Sequence, residues 1–411
     1  MTRFRGPKGT DDILPPASRV WSRAELTFIE LSGTYGYEPA ITPIFEPTEL
    51  FARGVGEATE VVDKQMYTFA DKAGRSLTLR PEATASVVRA VIEAGGVHGV
   101  MKASYWGPMF RYERPQAGRK RQFYQAGVEY LGEGAPEADV EVIELGYRFL
   151  QDMDVPEVEV ALNTIGDPAD REAYRAELTA FLQERIDLLS EDARTRMELN
   201  PMRVLDSKAD VEAVAGAPVP IDHLGPEAFA HFEAVKAGLD RLDIPYRIEP
   251  RLVRGLDYYN RTVWEYVPRR YDAAQSAVGG GGRYDQLFEL LGGRPTPAVG
   301  LAMGIDRIIL AAGGDELPRI LDLFVVAAGP AWRDEAFAWL SRLRHAGVRA
   351  DMALGDRSVK AQFKAADRRG ARAVAVVGDE WAAGTVTVKD LETGTQQVIA
   401  IEEITAWIAE H

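Results

Sequence analysis

PMFRYERPQAGRKRQFYQ, residues 108–125, places five cations, Arg111, Arg114, Arg119, Lys120 and Arg121, inside a chain that is otherwise acidic. Across 411 residues, 48 Lys and Arg stand against 63 Asp and Glu, a formal net charge of -15. That balance argues against nucleic-acid binding by bulk electrostatics, because counterion release needs a broad excess of cations. Any such contact has to come from local patches. The runs flanking the turn-like RPQAG, ASYWGPMFRYE and RQFYQAGVEYLG, predict two strands of an antiparallel hairpin.

Side chains on a strand alternate faces. Phe123, Gln125, Gly127 and Glu129 therefore share one face of the second strand, and Tyr124, Ala126, Val128 and Tyr130 share the other. Arg111 and Glu113 lie together on the first strand. A charged face that merely meets water is the ordinary alternative. Against it stands the mixture of one guanidinium, one ring, one amide and one carboxylate, with Gly127 leaving a hollow among them. Those are the groups that a nucleotide and an amino acid require.

The rest of the chain bounds the reading. With 46% hydrophobic and 27% charged residues it can bury a large core, and its length predicts two or three domains. There is no cysteine, so disulfides and thiolate metal sites are excluded, which fits a cytoplasmic protein. The five histidines, His98, His223, His231, His345 and His411, have no metal-type spacing. The N-terminal MTRFRGPKGTDDILPP lacks the apolar core of a signal peptide, and no apolar run is long enough to span a bilayer.

Residues 21–35 have helical spacing, ITPIFEP (41–47) reads as a strand interrupted by Pro43, and SLTLR (76–80) as another strand. Pro81 suits the first turn of a helix running to Glu93 and stopped by Gly95 and Gly96. From about Asp167 to Leu239 the sequence turns helix-rich and polar, and strand signals resume at RIEPRLV, the pattern of an insertion. GGDELPRI (313–320) reads as a linker. Beyond it, strand and helix alternate in the order of a parallel sheet wrapped by helices.

FRYERPQAGRKRQFYQ resembles motif 2 of class II aminoacyl-tRNA synthetases, and AVGLAMGIDRIIL (298–310) resembles their motif 3. LVRGLDYYNRTVWEY (252–266) and GGGGRYDQL (279–287) are similar to the two signature motifs of the histidyl-tRNA synthetase family, and LRPEATAS (79–86) and NPMRVLDSKAD (200–210) match it as well. The resemblance implies an α+β catalytic domain built on a class II antiparallel sheet over 1–318, with a helical insertion at about 167–239, and a C-terminal α/β anticodon-binding domain over 321–411. It implies a homodimer, the Pro43 segment resembling the motif 1 dimer contact. The implied reaction makes histidyl-adenylate from histidine and ATP, with Mg2+ on the outer phosphates, then passes histidine to the 3′ end of its tRNA. The magnesium ligands are unknown from sequence.

The same resemblance assigns residues. Arg111 and Arg254 would hold the α-phosphate and carboxylate from opposite sides, since guanidinium suits bidentate oxyanion binding. Arg307, in the first turn of a helix where a cation opposes the dipole, would pack on adenine and contact phosphate. Phe123 would stack on the other adenine face, with Glu113 also in the ATP site. Neutral imidazole requires one acceptor and one donor; Glu129 would accept, and Tyr259, with Tyr258 close by, would donate. Glu82, Thr84 and Gln125 would hold the amino and carboxylate groups of histidine.

GGGG (279–282) lacks the lysine and spacing of a P-loop and is expected to allow close backbone approach to the amino acid. Arg114 and Gln116 would face the tRNA acceptor end. Arg357, Lys360, Lys364 and Arg368 recur at helical spacing as a basic stripe opposite Val359, Phe363 and Ala366, and would meet anticodon phosphates; a solvated helix face is the alternative. Two other functions compete. One is a catalytically inactive synthetase paralogue acting as regulatory subunit of ATP phosphoribosyltransferase. Such paralogues usually lack the terminal domain and lose catalytic arginines, whereas Arg111, Arg254 and Arg307 are all present. The other is a nucleotide-binding protein with no tRNA partner.

Overall fold

The structure is a computed structural model that describes residues 4–56, 59, 61–199, 201–205, 210–252, 258–269, 277–313 and 321–410. Packing divides the chain into two units, Met1–Asp315 and Glu316–His411. Apart from Gly313, the expected linker over 313–320 lies outside the described residues. The first unit begins with α1 (Ser18–Thr34), β1 (Glu38–Pro39), β2 (Phe45–Pro47), α2 (Thr48–Val55), β3 (Tyr67–Ala70), β4 (Ser76–Leu79) and α3 (Thr84–Glu93). Next come the hairpin β5 (Met101–Phe110) and β6 (Gln122–Leu131), α4 (Pro136–Asp152) and β7 (Val158–Thr164). A helical stretch, α5 (Pro168–Gln183), α6 (Glu191–Leu199) and α7 (Pro226–Arg241), precedes β8 (Tyr246–Ile248), β9 (Asn260–Pro268), β10 (Gly279–Arg283), α8 (Leu287–Leu290), β11 (Ala298–Gly304) and α9 (Ile305–Ala312).

Eight strands form one sheet in the order β1-β5-β6-β11-β10-β9-β7-β8. It is antiparallel from β5 to β7, with a short parallel strand at each edge. The predicted hairpin is present, with Tyr105 opposite Gly127 and Ala103 opposite Glu129, but its first strand ends at Phe110, so Arg111 and Glu113 lie in the connection beyond it rather than on the strand. The alternation of β6 sends Ala126 and Val128 into a core shared with α1, α4 and α7, where Phe28, Phe149 and Phe232 are buried. Phe123 packs toward a second core, with Val88 of α3 and Tyr259. This second side carries the candidate site.

Local chemistry moves several boundaries away from the sequence expectation. In ITPIFEP the strand is limited to Phe45–Pro47, at the edge of a three-stranded sheet ordered β2-β4-β3, and Pro43 lies outside it. Helix α3 starts at Thr84 rather than at Pro81. The Glu82 carboxylate accepts the Thr84 and Ala85 N–H groups at 2.7 and 3.0 Å, so an acidic side chain satisfies the first helical donors. At α5, Asp167 and Asp170 form a reciprocal capping box with Pro168 at the first helical position.

In the second unit β12 (Leu321–Ala327), α10 (Arg333–His345), β13 (Ala350–Met352), α11 (Val359–Arg368) and β14 (Ala371–Val377) make the expected parallel arrangement, with β12 central among the three strands. The sheet continues with β15 (Thr385–Asp390) and β16 (Gln396–Ala400), both antiparallel, before α12 (Ile404–Glu410). Among the described residues no helix is long and apolar enough to cross a membrane.

Candidate active site

The site is a cavity of about 340 Å³ in the first unit, lined by residues of β6, β10, β11, α9, the β5–β6 connection and the segment entering α3. Its floor is set by strand register. Glu129 of β6 lies opposite Gly300 of β11, which in turn lies opposite Gly282 of β10. A Cβ on Gly300 would run into the Glu129 carboxylate, and one on Gly282 would come within 2.6 Å of the Tyr259 ring. Two glycines adjacent in register thus clear space for a carboxylate and a phenol ring. These are an acceptor and a donor of the kind a neutral imidazole needs.

Glu129 is fully buried, and its carboxylate accepts a hydrogen bond from the Thr84 hydroxyl at 2.6 Å and another from the Tyr284 hydroxyl. Burial pushes its carboxyl up to about 8; the two hydroxyls oppose the rise and the neighbouring Glu82 adds to it. Glu82 is also pushed up by burial, against the pull of the α3 amides and Arg111. Tyr258 and Tyr259 are buried with ring centroids 4.6 Å apart, and Tyr284 lies 5.5 Å from Tyr258. Gln125 lines the cavity, and its buried Oε1 has no hydrogen-bond partner among the described residues. An orphaned buried acceptor calls for a donor from a ligand.

The same cavity carries cations. Arg111 donates from Nε to the Pro81 carbonyl at 2.9 Å, and its guanidinium carbon lies 5.3 Å from the Phe123 ring centroid. Arg307, in the first turn of α9, donates to the Gly118 and Ala277 carbonyls at 3.1 and 2.9 Å. Burial, and then the charge of Arg119, lower its proton affinity below the usual guanidinium range. Its neighbourhood favours added negative charge. Glu113 pairs with Arg119 at 3.4 Å, and Lys120 bridges Asp11 and Asp306 at 2.9 and 2.6 Å.

Glu82, Thr84, Arg111, Glu113, Phe123, Gln125, Tyr258, Tyr259 and Arg307 all line this cavity, although they come from separate stretches of sequence. Glu129 stands behind its wall, bonded to the lining residues Thr84 and Tyr284. Arg254 lies outside the described residues. Arg114 and Gln116 are exposed in the β5–β6 connection. Tyr284 and Glu265 also line the cavity, and sequence reasoning does not find them. Tyr284 sits within the quoted GGGGRYDQL, but its partner is visible only through strand order.

One expectation about glycine changes. The hollow at Gly127 is filled by the Tyr105 ring, whose hydroxyl donates to the Leu301 carbonyl at 3.4 Å. In the GGGG run, Gly281 and Gly282 admit the Trp264 and Tyr259 rings, and Gly279 lines the cavity. Among the described residues no group of three or more His, Cys, Asp or Glu side chains is arranged to hold a metal.

In the second unit Arg357, Lys360, Lys364 and Arg368 are exposed along α11 and the turn before it, while Ala366 is buried and Val359 and Phe363 pack against the same small core. Ser358 caps the helix by accepting the Ala361 N–H at 3.3 Å.

Residues 9–308 match the family model described as histidyl-tRNA synthetase, and residues 322–411 match that of an anticodon binding domain. A histidine–tRNA ligase of Desulforudis audaxviator is 47% identical, covering 97% of this chain and 96% of the relative. One from Geobacillus thermodenitrificans is 44% identical, covering 99% of this chain and 98% of the relative. The solved apo histidyl-tRNA synthetase of S. aureus aligns with a TM-score of 0.79 at 37% identity, covering 99% of this chain and 100% of that one. The chain belongs to the histidyl-tRNA synthetase family.

Proposed function

We propose that this cavity condenses histidine with ATP, and that the chain is a histidine–tRNA ligase. A carboxylate oxygen of histidine attacks the α-phosphorus of ATP, the bond to the β-phosphate breaks and pyrophosphate leaves. A hydroxyl of the terminal tRNA ribose then attacks the carbonyl carbon of histidyl-adenylate, and AMP leaves. The observation that carries the reading is Glu129, buried and held by two hydroxyls against a cavity that also holds the tethered cations Arg111 and Arg307.

Glu129 accepts the imidazole N–H and a Tyr259 hydroxyl donates to the other ring nitrogen, with Tyr258 packed beside it. Glu82, Thr84 and Gln125 take the amino and carboxylate groups, and Gln125 brings an Oε1 that has no partner among the described residues. Arg111 meets the carboxylate and α-phosphate, and Arg254 is assigned the opposite side by its place in RGLDYY. Arg307 and Phe123 enclose adenine, with Glu113 beside the ATP site. Glu113 and Glu265, both at the cavity wall, are oxygen donors that suit Mg2+, which would neutralise the outer phosphates of ATP.

The tRNA would meet Arg114 and Gln116 through its acceptor end and the α11 stripe through its anticodon. A second copy of the chain would cover the three-stranded sheet, where Phe45 and Phe69 are 51% and 43% exposed with rings 6.3 Å apart. No specific observation favours the regulatory paralogue, and the match of residues 322–411 to an anticodon binding domain speaks against it. The test is ATP–pyrophosphate exchange on the purified protein, with each amino acid supplied separately. Exchange with histidine alone supports the reading; a folded protein without it would overturn it.

A further inference from the structure

We infer that Arg171, at the start of the helical stretch, is a positioning residue for histidine recognition, acting through the backbone of Tyr259. From the first turn of α5, Arg171 donates from Nη1 to the Tyr259 carbonyl at 2.8 Å and from Nη2 to Gln286 Oε1 at 3.2 Å. It therefore ties the residue over Gly282 to the segment that follows Tyr284, the phenol bonded to Glu129.

The neighbouring residues make this junction stiff. Arg261 and the chain before α5 exchange backbone hydrogen bonds, Arg261 N to Gly166 O and Ile165 N to Arg261 O, each 2.9 Å. The Arg261 guanidinium grips the Asp167 carboxylate at 2.7 and 2.9 Å. Arg261 has φ 49°, a left-handed conformation that a non-glycine residue keeps only where its surroundings dictate it. On the far side Asn260 and Asp285 bond each other twice, at 2.8 and 2.9 Å. Residues 259–261 are thus fixed from both sides, and the Arg171 guanidinium bonds the Tyr259 carbonyl directly.

A substrate-binding ring needs support of this sort, since misplacing it weakens recognition without touching the reacting atoms. An arginine that merely decorates a helix surface would have no reason to end on the main chain of a pocket residue. The role rests on the proposed histidine activation and is tested in the same assay. In ATP–pyrophosphate exchange, Arg171→Gln should raise the histidine KM about tenfold or more, the size of one lost charge-assisted bond. The ATP KM and kcat should change little, because ground-state and transition-state binding of the imidazole fall together. Arg171→Lys, which keeps a donor for the Tyr259 carbonyl, should recover part of the histidine KM. A wild-type protein without histidine-dependent exchange would overturn the proposed function itself. Normal wild-type exchange with a histidine KM within about twofold in Arg171→Gln, or a parallel rise in the ATP KM, would overturn the role of Arg171 alone.

Discussion

The cations of the cavity and those of α11 are the same residue types placed under opposite physical conditions. Arg111 and Arg307 are each tethered to main-chain carbonyls, and Arg307 is desolvated enough to lower its proton affinity. Arg357, Lys360, Lys364 and Arg368 are exposed to water. A tethered, dehydrated cation is preorganised for charge that develops in a transition state. An exposed one contributes a screened attraction that can follow a mobile polyanion. Chemistry is expected from the first group and affinity from the second.

The largest effect should come from the tethered group. Arg307→Ala is expected to slow adenylate formation about a hundred- to a thousandfold while the protein still folds, checked by single-turnover kinetics. A loss below about tenfold would break the contrast. Arg254→Ala, at a position assigned through RGLDYY, should likewise keep histidine binding and lose adenylate formation.

A second effect sharpens what burial does. Glu129 holds its proton more tightly in the folded protein, with a pKa of about 8 against an ordinary 4.5. Its contribution to stability therefore falls as pH rises between those values and is flat outside them. Glu129→Gln should remove a decline of a few kcal/mol across that window, read from urea midpoints compared at successive pH values. Parallel curves for the two proteins would show that another group titrates.

The smallest effect belongs to the stripe. Changing Lys360 and Lys364 together to Ala should leave pyrophosphate exchange unchanged and shift stability by no more than about 0.5 kcal/mol. It should weaken tRNA binding and lower its salt dependence, because fewer counterions are released. An unchanged salt slope would return the stripe to an ordinary solvated helix face.

The difference between the two regions also decides how much could be read in advance. The α11 stripe and the β5–β6 hairpin are local patterns, one helical and one alternating, and both are present as the sequence implies. The shared face of Phe123, Gln125 and Glu129 follows from the same alternation. What sequence does not carry is cross-strand register. That Gly300 makes room for Glu129 and that Tyr284 bonds it depend on the order β6-β11-β10, which is not chain order, and that Tyr105 fills the space above Gly127 depends on the register within the hairpin. Boundaries shift where a side chain overrides the simple rule, as when the Glu82 carboxylate caps α3 and sets its start at Thr84 instead of Pro81.

The most direct test of Glu129 as the histidine selector is calorimetric titration of histidine into the wild-type protein and into Glu129→Ala, which removes the acceptor, with ATP titrated into both as the control. The expected result is a fall in histidine affinity of about a hundredfold in the variant, with ATP binding unchanged. Equal histidine affinities in the two proteins would contradict the assignment of that buried carboxylate to the imidazole.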